Sequence, residues 1–338
     1  MKILLYTDVH WTKNSSIINT RGSKYSSRLE NLINSVNWAE RTAVEQGCDE
    51  IVCLGDFFDK TVLNAEELTA LKEVEWADLP HTFLIGNHET EMRDLQYASC
   101  HALPEDFEII DKLTLKKTLG VDMYFLPYMQ DVGIKDLITR GENQTIIFSH
   151  NDIAGIQYGP TISKCGFDIK EIEDCCDLFI NGHLHNGDNI TDKVINLGNL
   201  TGVDFKEDAF KYRHNVAILD TNTLKLTLIE NPFAFNFYRI EYKDVPLLNK
   251  EGSVFSKGIP VLIVNVTESE SKVLDKELLN GTIHRVNIKY EMTVGEEDQV
   301  CFEMGDHLGK FRDCVYGKMG ISNIVTEELN YVCGLEMK

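Results

Sequence analysis

Lys2-Ile3-Leu4-Leu5-Tyr6-Thr7-Asp8-Val9-His10 is an apolar run that ends abruptly in a carboxylate and an imidazole. The run reads as a strand, Lys2–Asp8, that delivers Asp8 and His10 at its C-terminal end. The same design returns four times. Glu50–Asp56 runs into Gly55-Asp56-Phe57-Phe58-Asp59, and His81–Asn87 into Gly86-Asn87-His88-Glu89. Thr145–His150 runs into Ser149-His150-Asn151-Asp152, and Leu178–Gly182 into Gly182-His183-Leu184-His185. The C-terminal ends of strands are where open α/β sheets place their sites.

Working outward, helical patterns alternate with these strands. From Ser27, the residues Leu29, Leu32, Ile33, Val36, Ala39 and Ala43 keep one face apolar at three- and four-residue steps, and Gly47 should end that helix. A second helix is expected over Ala65–Trp76. This β-α-β-α-β rhythm implies a parallel sheet with helices on its faces. Further strands are expected at Met123–Tyr128, Val194–Leu197, Val216–Asp220 and Leu224–Glu230, with fewer helices between them. A mixed sheet or two packed sheets follows. Asn231-Pro232 marks a boundary, after which Pro260–Val266 reads as a strand, Ser271–Leu279 as a helix and His284–Met292 as a strand. A more helical tail is expected from about Phe302. The fold class is therefore α/β (α+β), with residues 1–235 as the main domain and 240–338 as a smaller α+β domain.

Composition sets limits on function. The 338 residues are 43% hydrophobic and 26% charged, as in ordinary globular proteins. The first apolar run is too short for a signal peptide, and nothing approaches the roughly 18 apolar residues of a membrane span. A soluble, cytoplasmic protein is expected, with no membrane partner. The nine cysteines are scattered without a Cys-x-x-Cys pair, which argues against disulfides and a zinc knuckle. A net charge of −21 opposes nucleic-acid binding in general. Locally the balance differs: Val9–Leu29 holds Lys13, Arg21, Lys24 and Arg28 and no acidic residue. Those four are candidates for contacting DNA, with a solvated loop as the simpler reading.

The five clusters together have the chemistry of a dinuclear centre. Two cations about 3.5–4 Å apart need one bridging carboxylate, plus neutral N and O ligands that leave positions open. Asp56 is the natural bridge. Asp8, His10 and His185 would complete one ion site, and Asn87, His150 and His183 the other. Such a set suits Mn²⁺, Fe²⁺ or Zn²⁺ better than Ca²⁺, with Mn²⁺ the expected occupant of both sites. His88 is not needed as a ligand and is free to protonate a leaving oxygen, while Asp59 is placed to orient it. Asp152 reads as a cap or loop residue, and Trp11 is evenly balanced between packing and contact with a base.

These clusters resemble the calcineurin-like metallophosphoesterase superfamily, with its D-x-H, G-D-x-x-D, G-N-H-[DE], H and G-H-x-H pattern. The resemblance covers about residues 1–230. It implies a metallophosphoesterase β-sandwich flanked by helices and the same ligand sets and His88–Asp59 pair. Within the superfamily, the stretch from Asn196 to Glu207 is similar to a G-S-x-x-x-x-D-F-x-E run of the SbcD-type DNA double-strand-break repair nucleases, in their compact bacteriophage form. Residues 260–292 look like the start of that family's DNA-presenting capping domain. Trp11-Thr12 stands where the family has Leu-Gly, and Glu89 where it has Asp. The resemblance implies a DNA exo- or endonuclease subunit, a homodimer, and an SMC-like coiled-coil ATPase partner held by the C-terminal tail. A phosphatase or cyclic-nucleotide phosphodiesterase is the alternative, although Lys60 replaces the Arg expected of the phosphatase branch. A scaffold without turnover is the third reading, and it fits poorly with a complete ligand set.

Overall fold

The structure is a computed structural model that describes residues 1–289, apart from 16, 19, 20, 92, 93, 131, 159, 160, 251 and 281. Met1–Lys289 form one compact unit. The tail expected from Phe302 lies outside the described residues.

Two six-stranded mixed sheets face one another. In the first, Lys2–Tyr6 pairs in parallel with Glu50–Cys53, which pairs in parallel with His81–Leu84 and then Glu108–Ile110. On its other side Lys2–Tyr6 pairs antiparallel with Asn215–Asp220, and that strand with Lys225–Glu230. In the second sheet, Gln144–Ser149 lies in parallel between Val121–Leu126 and Leu178–Asn181, with Val194–Asn196 parallel beyond. The main departure from the expected strands is the added edges: Glu108–Ile110 and Thr114–Thr118 are short and carry no strong apolar signal.

Strand alternation explains why both faces of each central strand are apolar. Ile3, Leu5, Val52 and Leu84 turn inward against Met123, Phe125, Ile146, Phe148 and Ile180 of the opposite sheet. Leu4, Tyr6, Ile51, Cys53 and Phe83 turn outward under the helix Ser27–Glu45, which buries Leu29, Leu32, Val36, Ala39 and Ala43. Tyr124, Leu126, Ile147 and Phe179 cover the far side with the helix Ile169–Cys175. The result is a β-sandwich flanked by helices. Ser26 caps the long helix by accepting from the Leu29 amide. The second helix stops at Leu71, five residues before Trp76. Trp76 instead leaves the helix to pack edge-on against Phe107, with ring centroids 5.1 Å apart. Tertiary packing overrides the helical pattern there.

A third sheet of parallel strands, Phe235–Glu241, Ile259–Thr267 and Ile283–Lys289, has its own apolar cluster built on Tyr238, Ile240, Leu262 and Val264. Glu268–Val273 is helical and Lys276–Leu279 is a 3-10 turn, so the helix expected over Ser271–Leu279 is broken into two pieces. Phe235 and Phe237 dock this sheet on the main body through Phe205 and Ile18.

Phe148 is fully buried between the facing sheets. Phe148→Ala is expected to lower stability by about 3–5 kcal/mol in denaturant unfolding, against less than about 0.5 kcal/mol for Leu119→Ala. Leu119 is fully exposed.

Candidate metal centre

The loops that leave these parallel strands are tied to one another. Asp8 N–H donates to Gly55 O at 3.0 Å, His10 N–H to Asp56 O at 3.0 Å, and Gly182 N–H to Ser149 O at 2.9 Å. This lacing forces unusual backbone. Asp8, His10, Asp56 and His183 have φ of 50°, 49°, 48° and 72°, in the left-handed region that non-glycine residues seldom enter. Among the described non-glycine residues only Leu224 joins them. Strain of this kind concentrates where function holds a side chain in place. Gly86 and Gly182 leave the space that the acidic loops need. A Cβ on Gly86 would lie 2.1 Å from Asp56 Oδ1, and one on Gly182 2.2 Å from Thr7 Oγ1.

The structure brings Asp8, His10, Asp56, Asn87, His150, His183 and His185 into one cluster. Ligand atoms of Asp8, His10 and His185 lie within 4.8 Å of one another, as do those of Asp56, His150 and His183. Asp56 also falls within that reach of His10 and His88. It therefore stands between the two groups, as a bridge must. Asn87 Oδ1 is 2.9 Å from His183 Nδ1.

Three observations test whether ions fit. First, Asp8 Oδ2 is engaged by Thr7 Oγ1 at 2.6 Å and His183 N at 2.9 Å, while the buried Oδ1 has no hydrogen-bond partner. That orphaned oxygen points toward His10 Nε2 and His185 Nε2, 3.8 and 3.9 Å away. Second, those two nitrogens are 2.9 Å apart. Nitrogens bound at right angles to one ion, with bonds of roughly 2.0–2.1 Å, lie about 3.0 Å apart. Third, each histidine leans its other nitrogen on an acceptor. His10 Nδ1 meets Asp59 Oδ1 at 3.1 Å, His150 Nδ1 meets Leu54 O at 2.7 Å, His183 Nε2 meets Asp152 Oδ1 at 3.1 Å, and His185 Nδ1 meets Glu207 Oε1 at 3.4 Å. Such outer partners are what metal-binding imidazoles have. His150 Nε2 is left buried without a hydrogen bond, 3.1 Å from Asp56 Oδ2. The donor set fits two divalent cations.

The electrostatics agree. Burial alone would push the Asp56 carboxyl up, but the His150 and His10 imidazoles hold it at about 2. Burial likewise opposes ionisation of Asp8, and His10, His150 and His185 outweigh it, keeping the group well below the carboxylate range. The converse holds for the bases. Burial disfavours charge on His10 and His150, yet Asp59, Asp8 and Asp56 raise His10 to about 10, and Asp56 raises His150 to about 9. The metal-free cluster thus retains protons where cations would sit.

The family model for calcineurin-like phosphoesterases matches residues 1–217. The chain belongs to that family. It is thus a metal-dependent phosphoester hydrolase of a dimetal family. Similar solved structures include an archaeal phosphodiesterase at 15% identity, covering 68% of this chain and 99% of that one with a TM-score of 0.35. A dimetal phosphatase from Danio rerio is 12% identical over 68% of this chain and 98% of its own, with a TM-score of 0.38. The nuclease MPE of Pseudomonas putida is 16% identical over 49% and 72%, with a TM-score of 0.25. No curated protein matches the chain by sequence.

Other site residues need redrawing. His88 lies at the rim, its side chain 43% exposed, with its amide donating to Asp56 Oδ1 at 3.0 Å. Asp59 Oδ1 is closer to His10 than to His88, at 3.1 against 3.7 Å, so this carboxylate serves a ligand as well as the rim histidine. Arg28 does not face solvent. It is buried, and its guanidinium donates to Thr201 Oγ1, Gly202 O and Val9 O, tying the long helix to the first ligand loop. The apolar side of the helix carries Arg28 inward, which a count of charges in Val9–Leu29 could not reveal. Lys13 and Arg21 pair with Glu66, and Lys24 with Glu73, so the basic run is largely neutralised by the neighbouring helix and the turn that follows it. Trp11 is core: it is fully buried and stacks on Phe57. Asp152 caps no helix and meets His183. Glu207, quoted only within a family run, lies behind His185. A carboxylate two residues beyond a ligand histidine was the available signal for Asp152.

Because the raised His10 and His150 must lose protons to offer lone pairs, Mn²⁺ affinity should rise from pH 6 to pH 9, with protons released on binding. Calorimetry in buffers of differing ionisation enthalpy measures that release, and a binding enthalpy independent of buffer would contradict it.

Among the described residues, no helix is long and apolar enough to cross a membrane.

Proposed function

We propose that this phosphoesterase is a two-ion phosphodiesterase acting on DNA, a nuclease of recombination and double-strand-break repair, with Mn²⁺ at both sites. The observation that carries the DNA reading over a phosphatase is the course of Asp204-Phe205-Lys206-Glu207. Glu207 reaches the ligand histidine His185, while Phe205 packs edge-on against Phe237 of the third sheet at 5.0 Å. The segment similar to the nuclease family thus joins the ligand cluster to the sheet that would present a polymeric substrate.

Two bound cations supply Lewis-acid stabilisation of the phosphoryl charge and an activated water. The residues do the rest. Asp8, His10 and His185 would hold one ion and Asn87, His150 and His183 the other, with Asp56 available to both. His88, exposed and unencumbered by core packing, is placed to donate a proton to the departing sugar oxygen. Asp59 orients it while steadying His10. The same reading brings with it a homodimer and an SMC-like ATPase partner, and light scattering on the chain alone checks the first.

A smaller diester is the second reading. A cavity of about 510 Å³ opens beside His10, His88 and His185, lined further out by Tyr212, Ile190 and Lys206. Together with the neutralised basic run, it favours a compact substrate.

Linear double-stranded DNA and bis-para-nitrophenyl phosphate, each with Mn²⁺, separate the two. DNA shortening by wild type, reduced about 10²–10⁴-fold in His88→Ala with the ions still bound, is expected. Turnover of the small diester with DNA left intact would select the second reading.

A further inference from the structure

Besides Asp59, two further carboxylates stand behind ligand histidines without belonging to the ligand set. Glu207 is buried, and its Oε1 lies 3.4 Å from His185 Nδ1. Its rotamer is locked, because the same carboxylate accepts from Asn199 Nδ2 at 2.8 Å and from Val203 N at 3.1 and 3.2 Å. Asp152 is half-buried, with Oδ1 3.1 Å from His183 Nε2. The two histidines therefore present opposite nitrogens inward. His185 offers Nε2 toward Asp8 and His10, and His183 offers Nδ1 toward Asn87.

We propose that Glu207 and Asp152 are positioning residues, each dedicated to a different ion: Glu207 sets His185 for the Asp8–His10 position, and Asp152 sets His183 for the Asn87–His150 position. The inference rests on the two-ion reading. An imidazole must choose a tautomer and a ring orientation before it can ligate. A carboxylate on the outer nitrogen settles both and makes the inner nitrogen more basic. Leu54 O, behind His150, is a neutral acceptor, and Asp59 is divided between His10 and His88. Glu207 also faces the buried His214, whose Nε2 is 3.8 Å from Oε2, while its Oε1 is turned to His185. His183 and His185 turn opposite nitrogens inward, so each takes an acceptor of its own on the outer side, and the two carboxylates stand in different loops, one after Gln144–Ser149 and one in the stretch that follows Val194–Asn196.

Mn²⁺ binding, followed by loss of the free-ion electron paramagnetic resonance signal, provides the test. Glu207→Ala and Asp152→Ala should each weaken one of the two sites by about 10–100-fold and leave the other unchanged. In double-mutant cycles, Glu207 should couple to His185→Ala and Asp152 to His183→Ala, while Glu207 with His183→Ala should be additive. Glu207→Gln and Asp152→Asn, which keep an oxygen acceptor, should recover most of the loss and guard against a variant that merely fails to fold. Equal losses at both ions, or additivity within the proposed pairs, would show a general structural role and overturn the proposal. A wild type that does not take up two ions would overturn the two-ion reading itself, and the assignment with it.

Discussion

Two carboxylates, Asp8 and Asp56, are held ionised with almost no contact with water, and much of the architecture follows from keeping them so. Buried charge is costly unless it is paired. Here the pairing comes from the imidazoles of His10, His150 and His185 and from backbone amides at His88 and His183, on loops laced to one another. The parallel pairing of Lys2–Tyr6 with Glu50–Cys53, and of Gln144–Ser149 with Leu178–Asn181, brings those loops to one edge of the sandwich. The left-handed backbone at Asp8, His10, Asp56 and His183 is a local cost. The apolar layers between and outside the sheets offset it.

The fold class and the residues that the structure gathers at the strand ends were both legible in the sequence, and the reason is physical. A ligand must sit at a strand end with a small residue beside it, so Gly55-Asp56, Gly86-Asn87 and Gly182-His183 announce themselves in sequence. The central strands were legible because both of their faces are buried. Edge strands such as Thr114–Thr118 are half-exposed, carry lysines, and have no such signature. Residues that act through another residue were least visible. Asp152, Glu207 and Arg28 take their meaning from partners that are, in turn, 31, 22 and 173 positions away. A basic residue and an acidic one look alike in a loop and in a buried network until the helix rotation is known. Arg28 is the plainest case: its place on the helix sends the guanidinium inward to Thr201 rather than outward to a phosphate.

The stretch from Asn199 to Ala209 connects the two halves of the argument. Arg28 holds Thr201 and Gly202 from the side of the helix, Glu207 holds His185 from outside the ligand cluster, and Ala209 N–H donates to Phe237 O of the third sheet at 3.2 Å. A Cβ on Gly202 would lie 1.9 Å from Phe235 O, so the third sheet approaches the segment as closely as backbone allows. One short loop thereby supports a ligand, anchors a helix and seats a second sheet. The contacts from that sheet toward His185 run through Ala209 and Glu207, both buried.

The charge of the molecule bears on how such a site meets a polyanion. With −21 overall and its early basic run paired to Glu66 and Glu73, the body repels a DNA backbone at distances within the Debye length, about 8 Å at physiological salt. At the ligand cluster Asp8, Asp56, Asp59, Asp152 and Glu207 contribute five negative charges, and two divalent ions would offset four of them. The ions themselves would then be the points within a negative surface to which a phosphate oxygen is drawn. Phosphate is then favoured at the site and disfavoured around it, an arrangement that selects for a single phosphodiester delivered to the ions over diffuse binding along the chain. A long duplex would need a further basic surface to carry its flanking phosphates, whereas a single phosphodiester would not.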